Sequence, residues 1–141
     1  EIDRVGNVNV SKLGGLTVGP GGFIDIAQNA RKMVFVGTFD AKGAKLNTGD
    51  GSLRIETYGA VRKLVDEVEQ ITFSGQQAVA QGQEVIYITE RCVFRLQADG
   101  LHLSEVAPGV DVKADVIERM DFAPIVDDPL LTMSPNHFME N

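Results

Sequence analysis

The stretch Gly14-Gly15-Leu16-Thr17-Val18-Gly19-Pro20-Gly21-Gly22-Phe23-Ile24-Asp25-Ile26 restricts the fold more than any other part of this chain. Five of its first nine residues are glycine, and Gly-Pro-Gly-Gly has no place inside a regular helix or strand. It reads as a glycine-rich loop that runs directly into a helix. Glycine accepts positive φ and lets a ligand or a second backbone come close. The helix start adds unpaired N–H groups and the positive end of a dipole. That arrangement suits an anion or a developing oxyanion. It also arises where a tight strand-to-helix turn needs glycine for its dihedral angles alone, and spacing does not separate the two.

Two phosphate loops are excluded. The dinucleotide fingerprint G-x-G-x-x-G fails because Ile24 stands where its third glycine belongs. No Gly-Lys-Ser/Thr follows, so the loop is not of the Walker type.

The 141 residues suffice for one domain, and 43% hydrophobic with 23% charged residues is an ordinary globular composition. Thirteen basic against 20 acidic residues give a net charge of -7 with no basic cluster. Neither a nucleic acid nor an anionic membrane is therefore an expected partner. The single cysteine, Cys92, permits no internal disulfide and fits a reducing compartment. No apolar run reaches the ~18 residues of a membrane span and no signal peptide opens the chain, so a cytoplasmic location is expected. Glu1 to Val10 lacks an initiator Met and reads as a turn between strands, as in a fragment or processed product.

The glycine loop has a strand expected on each side. Arg4 to Val10 predicts a turn around Gly6-Asn7, and Val8 to Ser11 a short strand. Beyond the loop, Phe23, Ile24, Ile26, Ala27 and Ala30 share a helical face, and Met33 to Phe39 is a continuous apolar run expected to be a strand buried on both faces. Strand, glycine loop, helix and strand predict a right-handed β-α-β unit. Asp40 to Gly51 is rich in Gly, Asn, Asp and Lys and reads as an exposed loop.

Farther on, Ser52 to Thr57, Val61 to Phe73 and Glu84 to Glu90 are candidate strands, with a short helix over Ser74 to Gln81. Cys92 to Leu96 and Leu101 to Val106 flank Asp99-Gly100, a hairpin signal. Asp111 begins a helix with Val112, Val116, Ile117 and Met120 on one face. Asp127 to Asn141 lacks periodicity and predicts an extended tail that packs on a neighbour or stays mobile. The expected class is α/β, an open mixed sheet of six to eight strands with few helices.

Other candidate residues are fewer. Asn9 stands between two valines, where turn chemistry does not explain it, and its amide can orient a carboxylate or carbonyl; Asn7 reads as part of the turn beside Gly6. Lys42 and Lys45 follow the Met33–Phe39 strand, and loops at the carboxyl ends of parallel strands bind ligands in α/β folds. Glu90 invites a catalytic role, but an ion pair or a bond to a turn is expected of it. His102 and His137 are without ligand-spaced neighbours, so no metal site is expected. Cys92 reads as packing in a strand.

The order of motifs carries more than any one of them. Gly6-Asn7-Val8-Asn9-Val10-Ser11, Gly19-Pro20-Gly21-Gly22-Phe23-Ile24-Asp25-Ile26 and Val34-Phe35-Val36-Gly37-Thr38-Phe39 are followed by Val68-Glu69-Gln70-Ile71-Thr72-Phe73-Ser74-Gly75, Ile88-Thr89-Glu90-Arg91-Cys92-Val93-Phe94 and Glu105-Val106-Ala107-Pro108-Gly109-Val110-Asp111. From Asp3 to about Met133 the chain resembles the C-terminal part of family I CoA-transferases of the propionate and acetoacetate type. The resemblance implies that residues 1–126 belong to the second α/β domain of that family, with 127–141 as the tail.

It also implies a chemistry. In that family a glutamate carboxylate attacks an acyl-CoA thioester to give a mixed anhydride, and the CoA thiolate returns to form a glutamyl-CoA thioester. An incoming short-chain carboxylate reverses the steps. Each addition puts charge on a former carbonyl oxygen, and one good oxyanion donor is worth roughly 3–4 kcal/mol. For that chemistry the hole is expected at the Gly21 and Gly22 N–H groups, with Asn9 a candidate beside it; Gly19, Lys42 and Lys45 are candidates to face CoA, although exposed loop lysines are also ordinary surface residues. Coenzyme A is a substrate here and no cofactor is permanently bound.

The nucleophile is missing. The family's Glu-x-Gly motif lies upstream of the matched region, and no glutamate in this chain is followed two residues later by glycine. The expected partner is therefore the N-terminal portion of the same enzyme, in a homo-oligomer, and the chain alone is expected to be inactive. A non-catalytic binding module on the same fold and a nucleotide-binding domain are the alternatives.

Overall fold

The apolar run Val85-Ile86-Tyr87-Ile88 forms an interior strand of the principal sheet, with the first three residues buried. A computed structural model describes residues 1–140. In chain order the elements begin with β1 (Lys12–Leu13), β2 (Leu16–Thr17), α1 (Phe23–Asn29), β3 (Lys32–Val36), β4 (Asp40–Ala41) and β5 (Lys45–Gly49). There follow β6 (Ser52–Thr57), β7 (Val61–Arg62), α2 (Gly75–Ala80), β8 (Glu84–Ile88), β9 (Cys92–Gln97), β10 (Gly100–Val106) and β11 (Ile125–Thr132).

Five strands make one sheet in the order β11-β10-β9-β8-β3. β3 and β8 are parallel, β8, β9 and β10 run antiparallel, and β11 is parallel to β10. The sheet is mixed and open, as expected, although it has five strands where six to eight were predicted. The remaining strands form three separate two-stranded pairs.

Period-two alternation divides the sheet into two apolar faces. One face joins Phe35, Val85, Tyr87, Phe94, Leu101 and Leu103 to Phe23 and Ala27 of α1, Ala78 of α2, and Val116 and Met120. Phe35 stacks on Tyr87 at 5.3 Å and meets Phe73 edge-on at 5.1 Å. The other face packs Ile86 and Val93 against Leu53 of β6, Met133 and Phe138.

Several expectations are corrected. The glycine loop does not sit inside a β-α-β unit of this sheet. In the Val8–Ser11 stretch predicted as a strand before it, Val8 makes only isolated bridges, to Ile2 and Phe73; β1 pairs with β2 alone, and the parallel partner of β3 is β8, far downstream. The Met33–Phe39 run is not buried on both faces: β3 ends at Val36, lies at an edge, and exposes Val34 and Val36. Ile24 and Ile26 are exposed as well, because α1 meets the core only through Phe23 and Ala27.

Asp40 to Gly51 is not a plain loop, since β4 and β5 pair with β7 and β6 there. Val61 to Phe73 continues as a strand only through Arg62. The exposed Glu67 and Glu69 break the alternation, and Leu64, Val68 and Phe73 are buried by irregular backbone instead. The helix after Asp111 is a π turn over Val112–Val116 followed by a 3₁₀ turn over Ile117–Arg119, which still buries Val116 and Met120. The boundary placed at residue 126 falls inside β11. Backbone pairing to β10 orders this stretch, and Phe138 of the turn Pro135–Phe138 packs on the second face. Asn141, the last residue of that expected tail, lies outside the described residues.

Candidate active site

The glycine cluster separates into two parts with different roles. Gly14 and Gly15 have φ of 59° and 79° and connect β1 to β2 as a two-residue hairpin turn, a task that calls for positive φ at both positions. Pro20 to Phe23 forms a second turn, closed by the Phe23 N–H donating to the Pro20 carbonyl at 3.1 Å. Gly21 there has φ of 56°, and Gly22 caps α1. Gly19, Gly21 and Gly22 are exposed, and a side chain added at Gly19 or Gly21 would meet nothing within 4 Å. Among the described residues no acceptor takes the N–H of Gly21 or Gly22. With only seven residues in α1, and Asp25 in its first turn, those two N–H groups matter more than the helix dipole.

Asn9 holds the foot of this loop. Its Oδ1 accepts from the Ser11 and Lys12 N–H groups at 3.1 and 3.0 Å, and its Nδ2 donates to the Lys12 carbonyl and to Glu1 Oε2. The side chain is buried and its amide is fully occupied by the protein. The Ser11 carbonyl accepts from Val18 N–H at 2.7 Å, which draws the neck of the loop together. Asn7 is likewise engaged: it donates to Asp3 and accepts from Gly75 N–H at 3.0 Å, tying the first turn to α2.

A second polar cluster stands at the carboxyl ends of β3 and β8. Glu90 Oε2 accepts from the Phe39 N–H at 2.8 Å, and its Oε1 lies 3.2 Å from Arg91 Nε. This is the ion pair and turn contact expected of Glu90. Arg91 also binds Asp40 Oδ2 at 2.7 Å and the Asp115 carbonyl at 3.1 Å, with its guanidinium 4.6 Å from the Phe39 ring centre. Lys63 Nζ donates to Thr38 Oγ1 at 3.0 Å. Burial pulls the Lys63 pKa below the ordinary lysine value, against the opposing charges of Glu90 and Asp40.

Asn9, Val36, Gly37, Lys63 and Thr89 line one cleft of about 200 Å³. Gly19, Gly21, Gly22, Lys42 and Lys45 are not among its lining residues. Lys42 has φ of 63° in the turn between β4 and β5, and Lys45 opens β5; both are exposed. Sequence reasoning missed Asp40, Lys63 and Arg91. Thr38 lies 25 residues from Lys63 and Asp40 lies 51 from Arg91, and no local pattern announces such pairs. Cys92 is fully buried and burial pushes its thiol up to about 12, which suits packing and not nucleophilic attack. Among the described residues no group of three His, Cys, Asp or Glu could hold a metal ion, and no helix is long and apolar enough to cross a membrane.

No family model matches the chain. Individual proteins do. Acetate CoA-transferase YdiF of Escherichia coli K12 is 46% identical over 140 residues, which cover 99% of this chain and 26% of that protein. Caffeate CoA-transferase of Acetobacterium woodii is 45% identical over 145 residues, covering 99% of this chain and 28% of its own length. A crystal structure of the E. coli O157:H7 acyl-CoA transferase YdiF, in thioester complex with CoA, superposes with a TM-score of 0.96 at 46% identity. It is covered to 27%, and this chain to 99%. The decarboxylase AibA/AibB shares the fold at a TM-score of 0.65 and 24% identity. The chain thus spans about a quarter of the length of the curated relatives it matches. Matched almost end to end in sequence and in backbone, the chain is similar to about a quarter of these CoA-transferases.

Proposed function

We propose that this chain is the C-terminal portion of an enzyme that moves CoA between a short-chain acyl-CoA and a carboxylate through a glutamyl-CoA thioester. The observation that carries the reading is the 46% identity to an acetate CoA-transferase across 99% of the chain, glycine loop included. In this reading Gly21 and Gly22 supply oxyanion donors, supported by their exposure and by N–H groups that no acceptor among the described residues takes. Asn9 shapes the loop that carries them. Gly19, Lys42 and Lys45 face the CoA.

The nucleophilic glutamate comes from the N-terminal portion of the same enzyme, and the assembly is a cytoplasmic homo-oligomer. Residues 1–126 correspond to part of the second α/β domain. CoA enters and leaves as substrate. The readings as a non-catalytic module or a nucleotide-binding domain are not favoured, since the named relatives are transferases.

The test is a CoA exchange assay between acetyl-CoA and a short carboxylate such as propionate. The complete polypeptide turns over and the 141-residue chain does not. Turnover by the pure 141-residue chain, or its absence from the complete polypeptide, overturns the proposal.

A further inference from the structure

Lys63 is a half-buried cation without a carboxylate of its own. Among the described residues it makes no salt bridge: Asp40 is taken by Arg91, and Glu90 by Arg91 and the Phe39 N–H. Of its three donors one goes to Thr38 Oγ1 at 3.0 Å, and Thr38 in turn donates to the Asp40 carbonyl. Burial opposes the charge on Lys63, and the more distant Glu90 and Asp40 offset that only in part.

Lys63 lines the cleft of about 200 Å³ at the carboxyl ends of β3 and β8, the end of a parallel pair where α/β folds hold ligands. Much of the wall is apolar and includes Val10, Val36 and Ile88, of which both valines are exposed. The other polar side chains there are used within the protein. Asn9 donates to Glu1 and to the Lys12 carbonyl, Thr89 to the Cys92 carbonyl and Tyr87 to the Gly6 carbonyl. Glu1, the one acid in the lining, accepts from Asn9 Nδ2 at 2.8 Å. Among the lining side chains, Lys63 alone keeps polar hydrogens that no acceptor among the described residues takes.

A cation set in an aliphatic wall matches an anion with an apolar tail. With one cationic side chain and one acid in the lining, a singly charged carboxylate fits better than a phosphate dianion or a dicarboxylate. At about 200 Å³ the cleft lies below the ~300–1,000 Å³ of sites for drug-sized ligands, which limits the tail to a few carbons. We propose that this cleft is the subsite for the acid substrate: Lys63 Nζ pairs with the carboxylate of a short-chain monocarboxylic acid, and Val10, Val36 and Ile88 take its alkyl tail. The proposal rests on the CoA-transfer reading above and names the residue that holds the acceptor. Asn9, which also lines the cleft, holds the foot of the glycine loop, so the bound acid lies beside the element that carries the oxyanion donors.

The test uses the complete polypeptide. In Lys63→Met the KM for propionate should rise about tenfold or more while the KM for acetyl-CoA stays within about twofold. Lys63→Arg, which keeps the charge, should recover most of that rise. Val36→Phe keeps the ammonium and narrows the room for the tail, so the KM for butyrate should rise about tenfold over that for acetate. A second readout needs no turnover: sodium propionate should raise the melting temperature above that in equal sodium chloride, and Lys63→Met should abolish the gain. An unchanged propionate KM in Lys63→Met, a rise shared equally by acetyl-CoA, or equal stabilisation of wild type and Lys63→Met by propionate each overturns the subsite. Should Lys63→Met fail to fold, Val36→Phe decides, and an equal change for acetate and butyrate overturns it. Lys63-dependent stabilisation by propionate without any CoA exchange would sink the proposed activity and leave the carboxylate site standing.

Discussion

Arg91 and Asp40 form an ion pair at 2.7 Å with side chains 0% and 4% exposed. Water cannot repay either charge there, so each depends on the other and on Glu90. The pair ties the start of β4 to the turn between β8 and β9, and the Asp115 carbonyl adds the π turn. It holds together three segments that no hydrogen-bonded ladder joins.

Arg91→Met should destabilise the protein by ~3–5 kcal/mol, the usual cost of stranding buried charges. Asp40→Asn should cost less, because Glu90 remains beside the guanidinium. Urea unfolding of both variants checks this. A loss under ~1 kcal/mol for Arg91→Met would show that the cluster is not needed for stability.

His102 gives the fold a pH dependence. Its ring contacts Asp127 through Nδ1 and Asp99 through Nε2, both at 2.8 Å, and so links β11 to the β9–β10 turn. Burial alone would lower its pKa, but the two carboxylates outweigh burial and raise it. Arg95, its register partner on β9, is the nearby cation. A raised folded pKa means the contribution is complete below the ordinary value of about 6.5 and is lost as pH rises through the folded one. Stability followed from pH 5 to 9 should decline through that window in the wild type, and His102→Gln should remove that part of the decline. Parallel curves for the two proteins would assign the effect elsewhere.

Asn9 is predicted to act on the glycine loop through backbone contacts. Asn9→Ala leaves the Ser11 and Lys12 N–H groups without their acceptor, a loss of ~1–3 kcal/mol. The Val18 amide, bonded to the Ser11 carbonyl, should then exchange faster with solvent. Unchanged Val18 exchange would disconnect Asn9 from the loop.

Gly21 and Gly22 separate fold from chemistry. Gly21→Ala places a side chain at φ of 56°, a strain of ~1–2 kcal/mol. Gly22 has φ of -79°, and an added Cβ would meet only Ile26 Cδ1 at 3.8 Å, an ordinary contact. Gly22→Ala in the complete enzyme should therefore keep its unfolding midpoint within ~0.5 kcal/mol. Its CoA-transfer rate should nonetheless fall by about tenfold or more. A rate equal to wild type would move the oxyanion donors away from this turn.

The α/β class, α1 after the glycine loop, β8, the Asp99-Gly100 hairpin and the ordered motifs of the family were legible because each rests on contacts within a few residues. Apolar periodicity and turn chemistry are local, and they appear in the order of residues. The candidate glycine turn was legible for the same reason.

What the tertiary structure alone decided depends on residues far apart in the chain. Glu67 and Glu69 spoil the alternation of Val61 to Phe73, yet Leu64, Val68 and Phe73 are still buried, because isolated bridges from Ile2 and Val8 pin that irregular backbone. Asn9 looked available to a ligand until Glu1, Ser11 and Lys12 filled its hydrogen-bonding capacity. The adjacent Glu90 hinted at an ion pair, but nothing local announced the buried partner of Arg91, Asp40, 51 residues away. Sequence sets the periodicity of an element and the dihedral angles its turns can take. Which faces are covered, and which buried charges meet, follows only from how distant segments close together in space.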